Sequence, residues 1–486
     1  MQKIRIYSYT KLTKKIKRKN SKFNKIIIHF VGIGGIGMSG IAELMLDLGY
    51  NIQGSDINLN ENIQRLKKKG IKFFKGHDKK NIKNITAVVF SSAIKKNNPE
   101  LIECKRLSIP LVSRADMLSE LMKTKKSIAV AGSHGKTTTT SLVGSILDYA
   151  KFDPTIVNGG IINSYSKNNR FGLGEWMVVE ADESDGTFLR LPHEINIITN
   201  LDLEHLDYYK NKDNLIKAFK NFINNLPFYG YSILCTDNNN LKRLSKEIKT
   251  RNIITYSKNQ KTSDVKITSI KKNKKSTEFL LFINKNIING IGGKYKFKIN
   301  LLGEHNILNA TGAIIASLLA KVSIQKIQQS LLNFEGVKRR FSYLGNIQNA
   351  AIYDDYAHHP SEIKASYEIA KHLAEKKIIV IFQPHRYSRT KYLFNDFINI
   401  LQKINYLYIM DIYPAGEKPI KGVNSKNLVN KIKNKNKNTF YLSNRDNLQH
   451  KLKPYFKKNN IIIFMGAGSI TYYAENLIKN NNAKKH

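Results

Sequence analysis

Short apolar runs alternate with amphipathic stretches along most of the chain from Lys25 onward. Apolar runs cover 26–31, 51–54 and 87–91, and apolar positions at helical spacing cover 38–48 between the first two. Runs of this length are typical of buried strands, and strands that alternate with helices usually pair in parallel. The first part of the chain is therefore predicted to fold as a parallel β-α-β unit.

The same alternation restarts after the polar patch at 123–126. The predicted elements are strands at 127–131, 176–179 and 195–199, antiparallel-looking strands within the Lys/Asn-rich section 250–302, and helices from near Thr138 and at 305–320. It restarts once more after a basic segment at 336–340. The strands predicted there are 350–353, 378–382, 406–410 and 461–465.

These three blocks predict an α/β protein with three domains. We expect a basic tail at 1–24, a Rossmann-like domain at 25–123, a central domain at 124–336 and a Rossmann-like C-terminal domain at 337–486. A chain of 486 residues is long enough for three separate cores of ordinary size.

Composition narrows the functional classes. The net charge is +43, from 80 Lys and Arg against 37 Asp and Glu, which could indicate a nucleic-acid-binding protein. The lysines are spread through surface-like stretches without an aromatic RNA-binding motif, so we interpret the charge as compositional. Cys104 and Cys235 are too few for a disulfide scaffold or a zinc site. No apolar run reaches the ~18–20 residues of a membrane span, so a soluble, cytoplasmic protein is expected.

A glycine-rich turn follows the first predicted strand. Gly32, Gly34 and Gly37, with Gly35 between them, stand where a missing Cβ lets backbone amides face a pyrophosphate. Asp56 comes 19 residues after Gly37, where its carboxylate could accept hydrogen bonds from a ribose or a base. By itself this pattern would indicate a dinucleotide such as NAD, and a turn that merely packs a helix on a strand is the alternative.

A second glycine turn, 132–138, also joins a predicted strand to a predicted helix. Val130 occupies the first glycine position of the full Walker pattern, so the loop is a shortened form. Lys136 supplies a charge for the β and γ phosphates, Thr137 offers a hydroxyl to Mg²⁺, and the helix directs its N-terminal amides at the anion. The pattern indicates an ATP site.

Carboxylates and imidazoles follow two of the central strands. Glu180 is a candidate ligand for Mg²⁺ and His205 a candidate second metal contact, with a helix cap or a core histidine as the alternative for His205. Asp182, Glu183 and Asp185 are expected on a solvated loop face.

Two further patterns suggest ligand contacts. His305 and Asn309 are four residues apart on one predicted helix, so both could reach an adenine edge. Arg386 and Arg389 follow a strand of the third domain and suit a bidentate clamp on a small carboxylate, although a solvated basic loop is equally consistent with them.

Together, these motifs resemble those of the Mur ligases over nearly the whole chain from about Lys25. The matching segments are Gly32-Ile-Gly-Gly-Ile-Gly-Met-Ser-Gly-Ile-Ala-Glu43, Ala131-Gly-Ser-His-Gly-Lys-Thr-Thr138, Glu180-Ala-Asp-Glu-Ser-Asp185, Gly303-Glu-His-Asn306, Asp354-Asp-Tyr-Ala-His-His-Pro360, Pro384-His-Arg-Tyr-Ser-Arg-Thr390 and Tyr413-Pro-Ala-Gly-Glu417. Ser133 stands where members of the family often have Thr, and no counterpart of the carbamylated lysine of some members is assigned.

The resemblance implies a division of ligands among the domains. The first domain would bind a UDP-sugar rather than NAD, through Gly32, Gly34, Gly35, Gly37, Asp56, His77, Ser91 and Ser92. The central domain would bind ATP through Gly132, Ser133, His134, Gly135, Lys136, Thr137 and Thr138, with Thr137, Glu180 and His205 around Mg²⁺ and with His305 and Asn309 near the adenine. Arg340 and Asp355 would reach the triphosphate and ribose, and His385, Arg386 and Arg389 would hold the amino acid.

The reaction implied is the ATP-dependent joining of L-alanine to the carboxylate of UDP-N-acetylmuramate in peptidoglycan precursor synthesis, which serves the cell wall and cell division. A carboxylate is a poor acyl donor, so ATP would first convert it to an acyl phosphate, with Lys136 and Mg²⁺ offsetting charge on the transferring phosphoryl group. His205, His359 or His385 could accept the proton of the amine. A monomer or weak homodimer is expected.

Four alternatives stay open from the sequence. A ligase that attaches an intact tripeptide is the nearest, and the run 38–40 and the two arginines favour a free amino acid over it. A folate polyglutamate ligase would lack the N-terminal domain. An NAD oxidoreductase leaves Lys136, Thr137 and Glu180 without a role, and a nucleic-acid-binding protein explains the charge alone.

Overall fold

The structure, a computed structural model, describes residues 26–91, 93–163, 167–288, 290–443 and 446–482. The predicted basic tail and Ser92 lie outside these residues. The described chain divides into two compact units. The first contains the described residues up to Lys271 with Glu278–Asn300 and Asn306–Glu335, and the second contains Lys272–Thr277, Leu301–His305 and the described residues from Gly336 onward.

The first unit begins with a parallel sheet in the order β3-β2-β1-β4-β5. Its strands are β1 (Ile27–Val31), β2 (Asn51–Asp56), β3 (Lys72–Lys75), β4 (Ala87–Phe90) and β5 (Leu111–Ser113). The connecting helices are α1 (Ile36–Asp47), α2 (Glu61–Lys68), α3 (Pro99–Arg106) and α4 (Arg114–Met122). The predicted β-α-β unit is confirmed, and the strand order reverses beside β1, where such sheets bind ligands outside the carboxyl ends of their strands.

A larger sheet in the first unit has the order β15-β14-β13-β12-β11-β10-β6-β9-β7-β8. Its strands are β6 (Lys126–Ala131), β7 (Thr155–Ile162), β8 (Lys167–Arg170), β9 (Trp176–Glu180), β10 (Ile195–Ile198), β11 (Tyr231–Cys235), β12 (Asn252–Ser257), β13 (Val265–Lys272), β14 (Thr277–Ile288) and β15 (Ile291–Ile299). The helices of this part of the chain are α5 (Lys136–Tyr149), α6 (Leu206–Tyr209), α7 (Lys212–Asn224), α8 (Asn239–Glu247), α9 (Glu304–Leu319) and α10 (Ile324–Leu332). The central strand β6 pairs in parallel with both β10 and β9, so the polar segments that follow all three strands meet at one edge.

The second unit contains a sheet in the order β16-β17-β21-β18-β19-β20, parallel except for the β16–β17 pair. Its strands are β16 (Ser342–Ile347), β17 (Ala350–Asp355), β18 (Ile378–Phe382), β19 (Tyr406–Met410), β20 (Thr439–Leu442) and β21 (Ile461–Met465). Its helices are α11 (Pro360–Leu373), α12 (Tyr387–Tyr392), α13 (Phe394–Leu401), α14 (Ser425–Lys433), α15 (Leu448–Leu452) and α16 (Ile470–Asn482).

Both faces of this sheet are buried. Along β18, Val380 and Phe382 pack in one apolar cluster while Ile379 and Ile381 pack in another on the opposite face. A strand covered on both sides has no polar face, which explains why these strands appear in the sequence as unbroken apolar runs.

Three sheets therefore correspond to the three predicted α/β blocks, and the exact domain boundaries at 123 and 336 stay predictions. The central antiparallel-looking section forms β12 to β15. Of these, β12 pairs in parallel with its neighbours, and the four-residue connection 273–276 turns β13 back into β14. Among the described helices, none is long and apolar enough to cross a membrane.

Candidate active site

The shortened glycine turn joins β6 directly to α5, as the sequence predicts. Gly132 has φ +131° and Gly135 has φ +81°, backbone angles that residues other than glycine rarely adopt. An added Cβ at Gly132 would collide with Thr199 Oγ1, and one at Gly135 would collide with the amide oxygen of Asn309. The turn is therefore pressed between the end of β10 and helix α9, and Asn309 lies beside it.

A loop after β10 holds the turn from one side. Asn200 accepts a hydrogen bond from the backbone N–H of His134 (2.8 Å) and donates one to its carbonyl (2.9 Å), while Thr199 donates to the same carbonyl (2.5 Å). Ser133 Oγ accepts from the N–H of Asp202 (2.9 Å). Sequence reasoning assigned no role to Asn200, although its position after a buried strand was a usable signal. We infer that Asn200 fixes the direction of the turn amides.

Replacing Asn200 with alanine removes both hydrogen bonds to His134 and should loosen the turn. We expect the KM for ATP to rise by about tenfold, since each such bond contributes roughly 1 kcal/mol. Asn214, an exposed residue whose side chain donates to the Tyr209 carbonyl at 2.9 Å, is the control for Asn→Ala replacement. Equal KM values for ATP in the two variants would show that the hydrogen bonds between Asn200 and His134 are dispensable.

Lys136 begins α5 and lies in a buried polar cluster. Its ammonium donates to the Gly132 carbonyl (2.7 Å) and pairs with both carboxylate oxygens of Glu183 at 3.0 and 2.9 Å. Burial works against the charge, but Glu183, with Asp182 and Glu180, raises the pKa of Lys136 above its usual range. Lys136 is therefore a permanent cation at the turn.

Glu183 corrects a prediction. It was expected on a solvated loop face, but its side chain is only 1% exposed. Burial raises the pKa of Glu183 to about 7 even though Lys136 opposes this shift. Asp182 is exposed, in agreement with the prediction, and Asp185 caps the turn at Thr187 through a 3.1 Å hydrogen bond from the backbone N–H. Glu183 is buried because it pairs with Lys136, and this pairing requires β6 and β9 to be neighbouring strands.

The three predicted metal ligands form two groups. Thr137 Oγ1 lies 3.2 Å from Glu180 Oε1, and the other oxygen of Glu180 accepts from the N–H of Gly159 (2.8 Å). His205 lies apart from that pair in the hydrogen-bond network: its Nε2 is 3.7 Å from Glu183 and from Glu204. Ligand atoms of Glu183, Glu204 and His205 lie within 4.8 Å of one another. Carboxylate and hydroxyl oxygens are suitable donors for Mg²⁺, so the residues fit that ion.

Remaining residues of the ATP motif lie in the turn or the first helical turn. Thr138 is buried in α5, and His134 Nε2 is 3.5 Å from the carboxylates of Asp202 and Glu204. Neither Glu204 nor Asn200 was assigned from the sequence, because both follow β10 and approach the turn only through the order of the sheet.

In the N-terminal sheet, the glycine turn lies at the carboxyl ends of β1 and β2. The N–H of Gly34 donates to Asp56 Oδ2 (2.9 Å), which brings together two predicted ligand residues. Gly32 has φ +80°, and an added Cβ at Gly37 would lie 2.5 Å from the Arg114 guanidinium. Gly35 precedes the first residue of α1 and has no side chain to cap the helix amides. The prediction that these amides donate hydrogen bonds to an anion is consistent with this geometry.

The other predicted UDP-sugar residues lie on neighbouring segments. His77 Nδ1 is 3.0 Å from Ser55 Oγ, and Ser91 Oγ accepts from the N–H of Ala93 (3.1 Å). Gly40, part of the run that favoured a free amino acid, lies against Asn169, with which an added Cβ would collide. Gly40 therefore serves the packing of α1 on β8.

The predicted amino-acid clamp lies at the carboxyl end of β18 in the second unit. Arg389 donates to His385 Nδ1 (3.2 Å), and the His385 ring stacks on Tyr413 at 5.5 Å between centroids. Arg386 has φ +71°, held by its N–H bond to the Tyr413 carbonyl (2.8 Å). The Arg386 Nε is buried and has no hydrogen-bond partner among the described residues. A buried donor of this kind is suited to an acceptor such as a carboxylate.

Two further groups shape this cluster. Burial, with the charges of Arg389 and Arg386, lowers the pKa of His385 to about 4, so its ring is neutral at neutral pH. Glu417 accepts from the N–H (3.0 Å) and the hydroxyl (2.6 Å) of Ser388 at the start of α12, a positioning contact that sequence reasoning missed.

Other predicted contacts of the second unit lie on separate elements. Arg340 stacks on the Tyr356 ring at 5.3 Å, and His359 caps α11 through its own Nδ1. His305 lines a cavity of about 350 Å³ together with side chains of α11. Asp355 is buried and accepts from Ser366 (2.6 Å) and from the N–H of Ala357 (2.9 Å).

Asp355 should make stability depend on pH. Burial raises the pKa of Asp355 to about 6 from 3.8, so between these values the folded state keeps a proton that the unfolded state releases. Stability contributed by the protonated form is thus lost as pH rises from about 4 to about 6. Relative to wild type, the melting temperature of Asp355→Asn should be about 3 °C higher at pH 7 than at pH 4. Asp213→Asn, on an exposed helix face, is the control, and an equal offset at both pH values would contradict the expectation.

Sequence profiles of known families match most of the chain. The profiles are the Mur ligase family catalytic domain at 27–126, the Mur ligase middle domain at 130–317 and the Mur ligase glutamate ligase domain at 339–468. Their order and extents follow the three sheets.

Individual relatives agree with these profiles. The chain is 47% identical over 455 residues to the UDP-N-acetylmuramate--L-alanine ligase of Rickettsia felis. The alignment covers 93% of this chain and 95% of the relative. It is similar to the crystal structure of UDP-N-acetylmuramate-alanine ligase from Thermotoga maritima, with 28% identity and a TM-score of 0.79. The superposition covers 94% of this chain and 100% of the Thermotoga chain. A murein peptide ligase from Psychrobacter arcticus has the same fold, with 22% identity and a TM-score of 0.69. Here the superposition covers 94% of this chain and 98% of the Psychrobacter chain.

Proposed function

The chain belongs to the Mur ligase family, and we propose that it joins L-alanine to the carboxylate of UDP-N-acetylmuramate while ATP is converted to ADP and phosphate. The similarity to L-alanine ligases along 93% of the chain carries this proposal. The product is a precursor of peptidoglycan. Because the substrates are nucleotides and a free amino acid, we propose a cytoplasmic enzyme. We also propose that it works as a monomer or weak homodimer.

Activation of the substrate carboxylate is assigned to the glycine turn of the first unit. Lys136 pairs with Glu183 at 2.9 Å. Its ammonium would contact the β and γ phosphates of ATP and offset the charge that develops during transfer. Thr137 and Glu180 would hold Mg²⁺, which supplies further charge neutralisation at the phosphates. The carboxylate oxygen attacks the γ phosphorus, ADP leaves, and an acyl phosphate results.

The amino acid is assigned to the cluster around His385. Arg386 and Arg389 bind the carboxylate of L-alanine, and the amine attacks the acyl carbonyl to expel phosphate. The amine must first lose a proton to a base. His385 accepts from Arg389 at Nδ1, so in its neutral form the proton is on Nε2 and no acceptor site is left. The cap at His359 Nδ1 places its proton on Nε2 by the same reasoning. His205 is the remaining candidate base, a role that its Nε2 cannot combine with that of a metal ligand.

Release of phosphate from ATP in the presence of Mg²⁺ and UDP-N-acetylmuramate tests this function. We expect release only when L-alanine is added. Glycine and L-serine, each added in place of L-alanine, are the comparison amino acids. Release with the tripeptide L-alanyl-γ-D-glutamyl-meso-diaminopimelate, and not with L-alanine, would assign the chain to the peptide-attaching branch of the family. No release with any of these acceptors would reject the proposal.

A further inference from the structure

A closed polar network surrounds Glu100, the second residue of α3, whose side chain is fully buried. One carboxylate oxygen accepts from Asn81 (2.6 Å) and lies 3.5 Å from His29 Nε2. The other accepts from Ser55 Oγ (2.6 Å) and lies 3.1 Å from His77 Nδ1. Neither the binding of ATP nor that of the amino acid uses this carboxylate, so its burial requires another explanation.

Glu100 stays ionised in this position. Burial opposes the charge, but hydrogen bonds from His29, Ser55 and Asn81 lower the pKa of Glu100 below its ordinary value. An ionised carboxylate only accepts hydrogen bonds. Every group that points at it must therefore bring a proton.

This requirement fixes the protons of both histidines. His77 faces Glu100 with Nδ1, so Nδ1 carries a proton, and Nε2 is an acceptor whenever the ring holds that proton alone. On the opposite side, the amide nitrogen of Gln53 lies 3.2 Å from His29 Nδ1 and can only donate. The proton of His29 is therefore on Nε2, the atom that faces Glu100. The two rings have opposite tautomers because one carboxylate lies between them.

The network is joined to the glycine turn through Ser55. The Ser55 carbonyl accepts from the N–H groups of Gly32 (2.8 Å) and Ile33 (3.0 Å), while its hydroxyl belongs to the Glu100 network. His77 directly follows Gly76, whose N–H donates to the Asp56 carbonyl (2.8 Å). One strand end thus holds both the turn and the imidazole.

We propose that Glu100 is a positioning residue of the sugar-nucleotide site, which fixes the proton of His77 on Nδ1 so that Nε2 accepts a hydrogen bond from the ligand. A diphosphate has only acceptor oxygens at neutral pH and cannot supply that proton. The ligand group opposite His77 is therefore an O–H or N–H of the ribose, the base or the sugar. The identity of the ligand as UDP-N-acetylmuramate rests on the proposed function.

Calorimetric titration of UDP-N-acetylmuramate into the full-length protein, without ATP or L-alanine, tests the role of Glu100. We expect Glu100→Gln to weaken binding by about tenfold or more. The matched control is Glu43→Gln in the same domain, since Glu43 is also buried but pairs with Lys69 (2.7 Å) and Arg65 (3.3 Å) instead. That variant should bind within about twofold of wild type. Equal binding by Glu100→Gln and wild type would overturn the inference, whereas failure of wild type to bind would contradict the proposed function.

Substitutions of His77 test the same inference if Glu100→Gln does not fold. Glutamine can place its amide oxygen near the position of Nε2, whereas asparagine places it near Nδ1. We expect His77→Gln to bind UDP-N-acetylmuramate about tenfold more tightly than His77→Asn, and the reverse order would overturn the inference. Nitrogen-15 NMR of the wild-type imidazole should show the proton on Nδ1. A signal for the opposite tautomer of His77 would also refute it.

Discussion

Replacement of Lys136 by alanine is expected to lower kcat by at least about 10³-fold and to leave the affinity for UDP-N-acetylmuramate within about twofold of wild type. The ammonium lies at the glycine turn, 2.7 Å from the Gly132 carbonyl, and is the cation assigned to the transferring phosphoryl group. The sugar-nucleotide residues lie on a different sheet. Steady-state phosphate release and calorimetric titration of UDP-N-acetylmuramate measure the two quantities separately.

Two controls separate the role of Lys136 from its pairing with Glu183. Lys123→Ala removes an exposed lysine whose only described ion pair is with Glu120, and it should keep full activity. The double replacement of Lys136 by alanine and Glu183 by glutamine removes the carboxylate that Lys136→Ala leaves unpaired. Recovery of activity in the double variant would mean that the unpaired charge of Glu183, and not the loss of the cation, had stopped turnover.

Replacement of Arg386 by alanine should lower kcat/KM for L-alanine by about 100-fold or more, because a charged contact to the substrate carboxylate is lost. The Arg386 Nε is buried without a partner among the described residues, and its backbone has the unusual φ of +71°. Lysine at this position should recover only part of the loss, since it has no fork of parallel donors. Rates at varied L-alanine concentrations, with ATP and UDP-N-acetylmuramate saturating, give the value.

The control for Arg386 is Lys391→Ala, which removes an exposed cation from the same helix, α12. Its kcat/KM for L-alanine should equal that of wild type. If Arg386→Ala had the same KM for L-alanine as wild type, the amino acid would have to bind elsewhere and the assignment of this cluster would be wrong.

Three strands of the second unit that are covered on both faces were predictable to the residue. The apolar runs at 378–382, 406–410 and 461–465 coincide with β18, β19 and β21, because each buries every side chain or all but one. Edge strands such as β16 and β20 were not predicted. Both carry polar or exposed positions, since one side of an edge strand has no neighbouring strand and its sequence is less apolar.

The site could be predicted only as far as its motifs extend along the chain. The glycine turns and the start of α5 follow from local spacing, and the pairing of Asp56 with Gly34 agrees with its place at a strand end. The roles of Asn200, Glu183 and Glu100 depend on which strands are neighbours, which no local pattern specifies. Glu183 shows the consequence: a loop segment with three acidic residues appears solvated in the sequence, yet one of them is buried against Lys136.

The most direct test of the central claim is transfer of oxygen from the substrate carboxylate to phosphate. UDP-N-acetylmuramate labelled with ¹⁸O in its carboxylate is turned over with ATP and L-alanine, and the released phosphate and the product are weighed by mass spectrometry. Activation through an acyl phosphate predicts one ¹⁸O in each phosphate and a product heavier by one alanyl residue. Phosphate without ¹⁸O, or ATP consumption without an alanyl product, would contradict the account.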